Sequence, residues 1–195
     1  MRKIFYCVIV ALILAACSKE DENLSELEKV KQLVSSTELL ATDILKSAQY
    51  WQSDIELYYT EPDGKGVEYA RDRANQIGAD LHINFVVEKE TIKLYLASCY
   101  MPVGPSMPQK IYKNYIMSEI GNNSWVLSHF NGNEYYFKIL AHDDNKILVA
   151  SNLWQCDNND TYFGHSVILF KRQDTRPEWF DECISEEEYL ETYGE

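Results

Sequence analysis

Basic residues are scarce in this chain. Eighteen Lys and Arg face 31 Asp and Glu, a formal charge of −13 at pH 7. Nucleic-acid binding depends on neutralising phosphates with Lys and Arg, so that partner class is excluded. A polybasic membrane contact is excluded with it. Catalytic spacings are missing as well. Gly164-His165-Ser166-Val167 lacks the Gly-x-Ser-x-Gly nucleophile elbow. His82, His129, His142 and His165 share no ligand spacing, and no Cys-x-x-Cys or Cys/His pattern suggests zinc. Asp157-Asn158-Asn159-Asp160-Thr161 alternates oxygen donors as a calcium loop does. It has neither the glycine at position 6 nor the glutamate at position 12 that such a loop needs, and it reads as a turn. Carboxylates are plentiful, but no spacing singles out an acid–base pair. The sequence therefore predicts a non-enzymatic protein without metal or cofactor.

What is present begins at the N-terminus. Arg2-Lys3 precedes the apolar run Ile4–Leu14, and small residues follow. That order makes a secretory signal, and the run falls short of the roughly 20 apolar residues that span a bilayer. Leu14-Ala15-Ala16-Cys17 resembles the lipobox of bacterial lipoproteins. The resemblance implies cleavage before Cys17 and acyl chains on Cys17, which would anchor the chain to a membrane. Two or more chains are enough for stable attachment. Ser18-Lys19-Glu20-Asp21-Glu22 follows and resembles the surface-export signal of lipoproteins in one Gram-negative phylum. The implied address is the outer membrane, lipid-anchored and exposed at the cell surface. Losing Arg2 and Lys3 leaves 16 basic against 31 acidic residues, a formal charge of −15. Such a charge steers basic partners.

Cys7 leaves with the signal and Cys17 takes lipid, so Cys99, Cys156 and Cys183 remain. Outside the inner membrane disulfides are permitted. One bridge plus a thiol, or three thiols, both stay open. If a bridge forms, Cys156–Cys183 is the favoured pair.

The mature chain has the length of one domain. Its expected organisation is a signal peptide over 1–16, an acidic tether over 17–23, a helical segment over 24–49, a β-domain over 50–173 and an acidic extension over 174–195. Leu24, Leu27, Val30 or Lys31, and Val34 recur at helical spacing, and Ser25 with Glu28 fits a capping box. Leu39, Leu40, Ile44 and Leu45 suggest a second helix ending near Gln49. From Trp51 the period becomes two. Ile55, Leu57 and Tyr59 alternate with polar residues. Leu81, Ile83, Phe85 and Val87 alternate with His82, Asn84 and Glu88, and are expected to face inward opposite Ile92, Leu94 and Leu96. Tyr112, Ile116 and Ile120 suggest a further strand. Trp125 to Phe130, Tyr135 to Ala141, Ile147 to Leu153 and Val167 to Phe170 follow. Asn131-Gly132 reads as a two-residue hairpin turn. Ser185 followed by Glu186-Glu187-Glu188 reads as the capped start of a short acidic C-terminal helix.

About eight short strands joined by short turns pair antiparallel. They make an up-and-down barrel or, as the alternative, a β-sandwich; a barrel removes exposed edges. The layout over roughly Tyr50 to Arg172 resembles the lipocalin-like domains of bacterial envelope lipoproteins. Trp51 opens the first strand and Arg172 closes the last. In that family such a pair packs together and seals the closed end of the barrel, although here no glycine stands two residues before Trp51. The resemblance implies non-enzymatic binding of a small apolar or amphipathic ligand. Fourteen tyrosines supply the aromatic and polar surface that small pockets use. Tyr59, Phe85, Leu94, Tyr135 and Phe137 are the candidate lining residues. The second function class is a protein-interaction module, such as an inhibitor of a cationic hydrolase or an accessory subunit of an envelope complex.

Overall fold

The computed structural model describes residues 24–35, 37–38, 40–47, 50–72, 81–88, 91–98, 110–158, 160–176 and 183–193. The expected signal peptide, Cys17, the expected tether up to residue 23 and Cys99 lie outside the described residues. Among the described residues no helix is long and apolar enough to cross a membrane. The chain divides into two units, Met1–Leu33 and Val34–Glu195. That boundary falls inside the 24–49 helical segment expected from the sequence.

In the first unit, α1 (Glu26–Gln32) starts at the expected capping box. Ser25 Oγ accepts the Glu28 N–H at 3.3 Å, and Glu28 Oε2 accepts the Ser25 N–H at 3.0 Å. Glu26 and Glu28 in the first turn and Lys29 and Lys31 in the last complement the helix dipole.

The second unit opens with α2 (Ala41–Ser47) and continues with β1 (Tyr50–Tyr59), β2 (Glu68–Asp72), β3 (Leu81–Glu88), β4 (Thr91–Ser98), β5 (Lys110–Gly121) and β6 (Ser124–Ser128). Then come β7 (Glu134–His142), β8 (Lys146–Ser151), β9 (Cys156–Asn158), β10 (Thr161–Phe163), β11 (His165–Gln173), β12 (Cys183–Ser185) and α3 (Glu186–Tyr193). The sheet runs β11-β8-β7-β6-β5-β4-β3-β1, and β1 pairs back onto β11. Eight antiparallel strands thus close an up-and-down barrel, and the sandwich alternative is set aside. β2 and β12 patch the wall. β1 pairs with β3 over Tyr50–Gln52 and with β2 over Ile55–Tyr59. β12 runs parallel to the start of β5. β9 and β10 form a separate hairpin, where the sequence suggested only a polar loop.

Turn chemistry sets the register. Asn122 and Asn123 both take positive φ, 53° and 55°, the primed turn that suits a tight hairpin. The β6–β7 turn differs from expectation. Gly132 N–H donates to the His129 carbonyl at 3.0 Å and His129 N–H to the Asn133 carbonyl at 2.9 Å. The loop is therefore three residues, Phe130 to Gly132, and Gly132 takes the left-handed position at φ 86°.

Ile83, Phe85 and Leu94 are buried in the core as expected. The side chains of Leu81, His82, Val87, Glu88 and Leu96 lie outside the described residues. Three expectations need correction. Asn84, expected in solvent, is only 8% exposed. Its outward face is not open wall, because Arg176, from the segment after β11, lines a cleft there with Asn84. On β5 it is Tyr115 and Met117 that reach the core, and Ile116 and Ile120 are 51% and 64% exposed. The third correction concerns β1. Its register with β11 shifts between Ser53 and Ile55. Such a bulge exchanges the two faces of the strand beyond it. Trp51 belongs to the core before the bulge and Tyr58 after it, and Leu57 and Tyr59 lie outside that cluster. Leu57, Tyr59, Leu148, Val167 and Leu169 are nonetheless buried, so β1, β8 and β11 bury both faces.

Candidate functional site

The site is built along the barrel interior, from one end to the other. At the first end, β1 and β11 set Trp51 directly opposite Arg172. Trp51 is fully buried. The Arg172 side chain is 33% exposed, with Nε 3.7 Å from the Asp174 carboxylate. Arg172 is thus only partly buried, where a fully sealed closed end would bury it. Asp143 secures the neighbouring turn. Its Oδ1 accepts the N–H groups of Asn145 and Lys146, each at 2.8 Å, and its Oδ2 accepts the Ser35 N–H at 2.9 Å. Chain entering α2 is thereby tied to the β7–β8 turn. α2 adds Ala41, Ile44 and Leu45 to the barrel core.

The middle is a run of aromatic contacts. Phe85 meets Phe137 edge-on at 6.0 Å between centroids, Phe137 meets Trp154 at 6.4 Å, and Trp154 meets Phe170 at 5.4 Å. Phe85, Leu94 and Phe137 of the lining candidates belong to this core, and Tyr135 packs against it. Tyr59 does not join them, because the bulge in β1 turns it to the other face. Trp154 is the aromatic that sequence reasoning missed, since it sits between strands and carries no periodic signal.

At the opposite end, the bulge brings polar groups inward. Glu56 is 4% exposed. The Tyr58 hydroxyl donates to Glu56 Oε2 at 2.8 Å. Arg71 is the cross-strand partner of Glu56, with a guanidinium nitrogen 3.8 Å from the same oxygen. Burial, and then the Glu56 charge, holds the Tyr58 phenol well above its ordinary range. The Arg71 Nε is itself buried and makes no hydrogen bond. Tyr69 carries the aromatic surface onward, 6.4 Å from Tyr58 and 5.7 Å from Phe163. Nothing in the sequence marks this group, because a glutamate in a strand ordinarily faces water.

A second polar group lies where α3 meets the barrel. Glu186 Oε2 stands 2.8 Å from His129 Nε2, off the axis of a hydrogen bond, and Oε1 stands 3.0 Å from Lys113 Nζ. The His129 ring lies 5.1 Å from the ring of Tyr115. Burial, then the neighbouring Tyr135 and Glu186, raises the Tyr115 phenol. Ser185 caps α3 as the sequence suggested, accepting the Glu188 N–H at 3.0 Å.

Cys156 on β9 and Cys183 on β12 are half-buried thiols, not a bridge to each other. β9 pairs with β10 and β12 with β5, so the two belong to different pairings. Among the described residues no group of His, Cys, Asp and Glu could hold a metal ion.

No family model matches this chain, and no curated protein does. Among solved structures it is similar to apocrustacyanin C2, at 11% identity and a TM-score of 0.38 over 78% of each chain. It is similar to apocrustacyanin C1 at 10% identity and a TM-score of 0.38 over 82% of each chain.

Proposed function

We propose that this chain is a lipid-anchored envelope protein that binds a small amphipathic ligand at the Glu56 end of its barrel. One observation carries the binding reading. The Arg71 Nε is a buried donor without an acceptor, held beside a buried carboxylate at the end of an aromatic interior. A buried donor left unmade is costly, and an acceptor oxygen on a ligand would complete it. The ligand's carbonyl or carboxylate meets Arg71, and its apolar body lies against Tyr69 and Phe163. Glu56 and Tyr58 fix the guanidinium in place. Anchoring rests on Leu14-Ala15-Ala16-Cys17, which supplies the acyl attachment.

Dodecanoate is a suitable probe, with tryptophan fluorescence as the readout. We expect saturable binding, weakened roughly tenfold or more in Arg71→Leu, the loss of one charge-assisted hydrogen bond. Equal binding by both proteins, or no saturable response to dodecanoate, would overturn the reading.

A further inference from the structure

We propose a second small-molecule site on the outside of the barrel wall, in the cleft across β3, β4 and β5, for a hydroxyl-bearing sugar ring. The cleft measures about 230 Å³ and is lined by Asn84, Val86, Tyr95, Tyr112 and Arg176. Strand register assembles it. Asn84 lies opposite Tyr95, and Tyr112 lies opposite Ala97, two residues along the same face. Diagonal neighbours of this kind are within reach of aromatic side chains, and the rings of Tyr95 and Tyr112 meet edge-on at 5.7 Å.

The telling atom is the Asn84 amide oxygen. Asn84 is only 8% exposed, and its Oδ1 has no hydrogen-bond partner. Buried side-chain acceptors are nearly always bonded. One left unbonded beside an open cleft marks a place for a donor from outside the chain.

The lining narrows the class of ligand. An acceptor is waiting, so the ligand must donate. Arg176, Tyr95 and Tyr112 line the same cleft, so groups that also accept are favoured. A hydroxyl does both. The tyrosine rings and Val86 offer apolar surface to ring C–H groups. A sugar ring combines hydroxyls at its edge with C–H groups on its face, and the cleft is sized for one ring instead of an acyl chain. The site is separate from the Arg71 group, because Asn84 alternates with the core residues Ile83 and Phe85 and so faces away from the interior.

Saturation-transfer NMR on the detergent-solubilised full chain tests this. The probes are the methyl glycosides of glucose, galactose, N-acetylglucosamine and glucuronate. At least one should receive saturation on its ring protons. The affinity should fall roughly tenfold in Asn84→Leu, the loss of a buried hydrogen bond, and more in Tyr95→Ala. Arg71→Leu should bind the same glycoside unchanged. Asn84→Leu keeps the number and branching of side-chain heavy atoms and keeps the test decisive should Tyr95→Ala fail to fold. Transfer to none of the four glycosides, or equal transfer in Asn84→Leu, overturns the proposal and leaves a cleft that holds only water.

Discussion

At the scale of single residues, three phenols stand out. Tyr58, Tyr115 and Tyr136 are all raised above the ordinary tyrosine value of 10.0, and burial is the largest cause in each. Their folded values exceed their unfolded ones. The stability they contribute is therefore complete below pH 10 and declines as pH rises past it, because the unfolded chain releases protons that the folded chain retains. Ultraviolet titration of the folded protein should show these phenols still protonated above pH 10. Urea midpoints should fall over the same range. Replacing Tyr58 with Phe should remove one of the silent phenols and flatten the alkaline decline. Full ionisation of every tyrosine near pH 10 in the folded protein would contradict this. Residues of this kind were only half legible in the sequence. Phe85, Leu94 and Phe137 announced themselves through alternation, since strands with one wet face keep a strict period. Tyr59 and Asn84 misled, because one lies beyond a bulge and the other lines a cleft with Arg176, which is distant in sequence.

At the scale of elements, a turn decides more than a strand does. Asp143 serves three backbone donors at once, two within the β7–β8 turn and one from Ser35 ahead of α2. Asp143→Ala should cost about 2–3 kcal/mol, because backbone donors lose a charged acceptor and Asp143 itself is buried. Asp143→Asn should recover part of that, since its amide oxygen still accepts. Urea unfolding of the two variants measures both. A cost below about 0.5 kcal/mol for alanine, the range of ordinary surface changes, would show that α2 is held by its apolar face alone. The sequence read Asp143-Asp144-Asn145 as a turn and stopped there, since nothing local shows that Ser35 lies within reach. β2, β9, β10 and β12 went unseen for a similar reason. Each is three to five residues long, too short to display a period; β2 and β12 lie beside the longer β1 and β5, and β9 and β10 pair with each other.

At the scale of the molecule, the closed barrel was legible because many weak signals agreed: short strands, short turns and no helix between them. The polar end around Glu56 was not, because it depends on where β1 breaks its own alternation. The proposed anchor belongs to this scale too, since acylation of Cys17 would determine where the whole chain resides. Intact-mass measurement of the protein from its native membrane should show a chain that begins at Cys17 and carries acyl mass. Cys17→Ala should remain uncleaved and lose its partition into detergent. A mature form with an unmodified Cys17 would remove the anchor and leave the barrel's chemistry untouched.

The pairing of β1 with β11 also governs how the chain folds. Hydrogen bonds between residues 51–59 and 165–172 join the two ends of the barrel sequence. Until the last strand is in place, the first has no partner on that side, and the sheet carries two open edges. Contacts this distant in sequence form slowly, and unpaired edges attract other chains. The interval between synthesis and closure is therefore when this protein is most exposed to aggregation and to proteases, and when a chaperone would have most to bind.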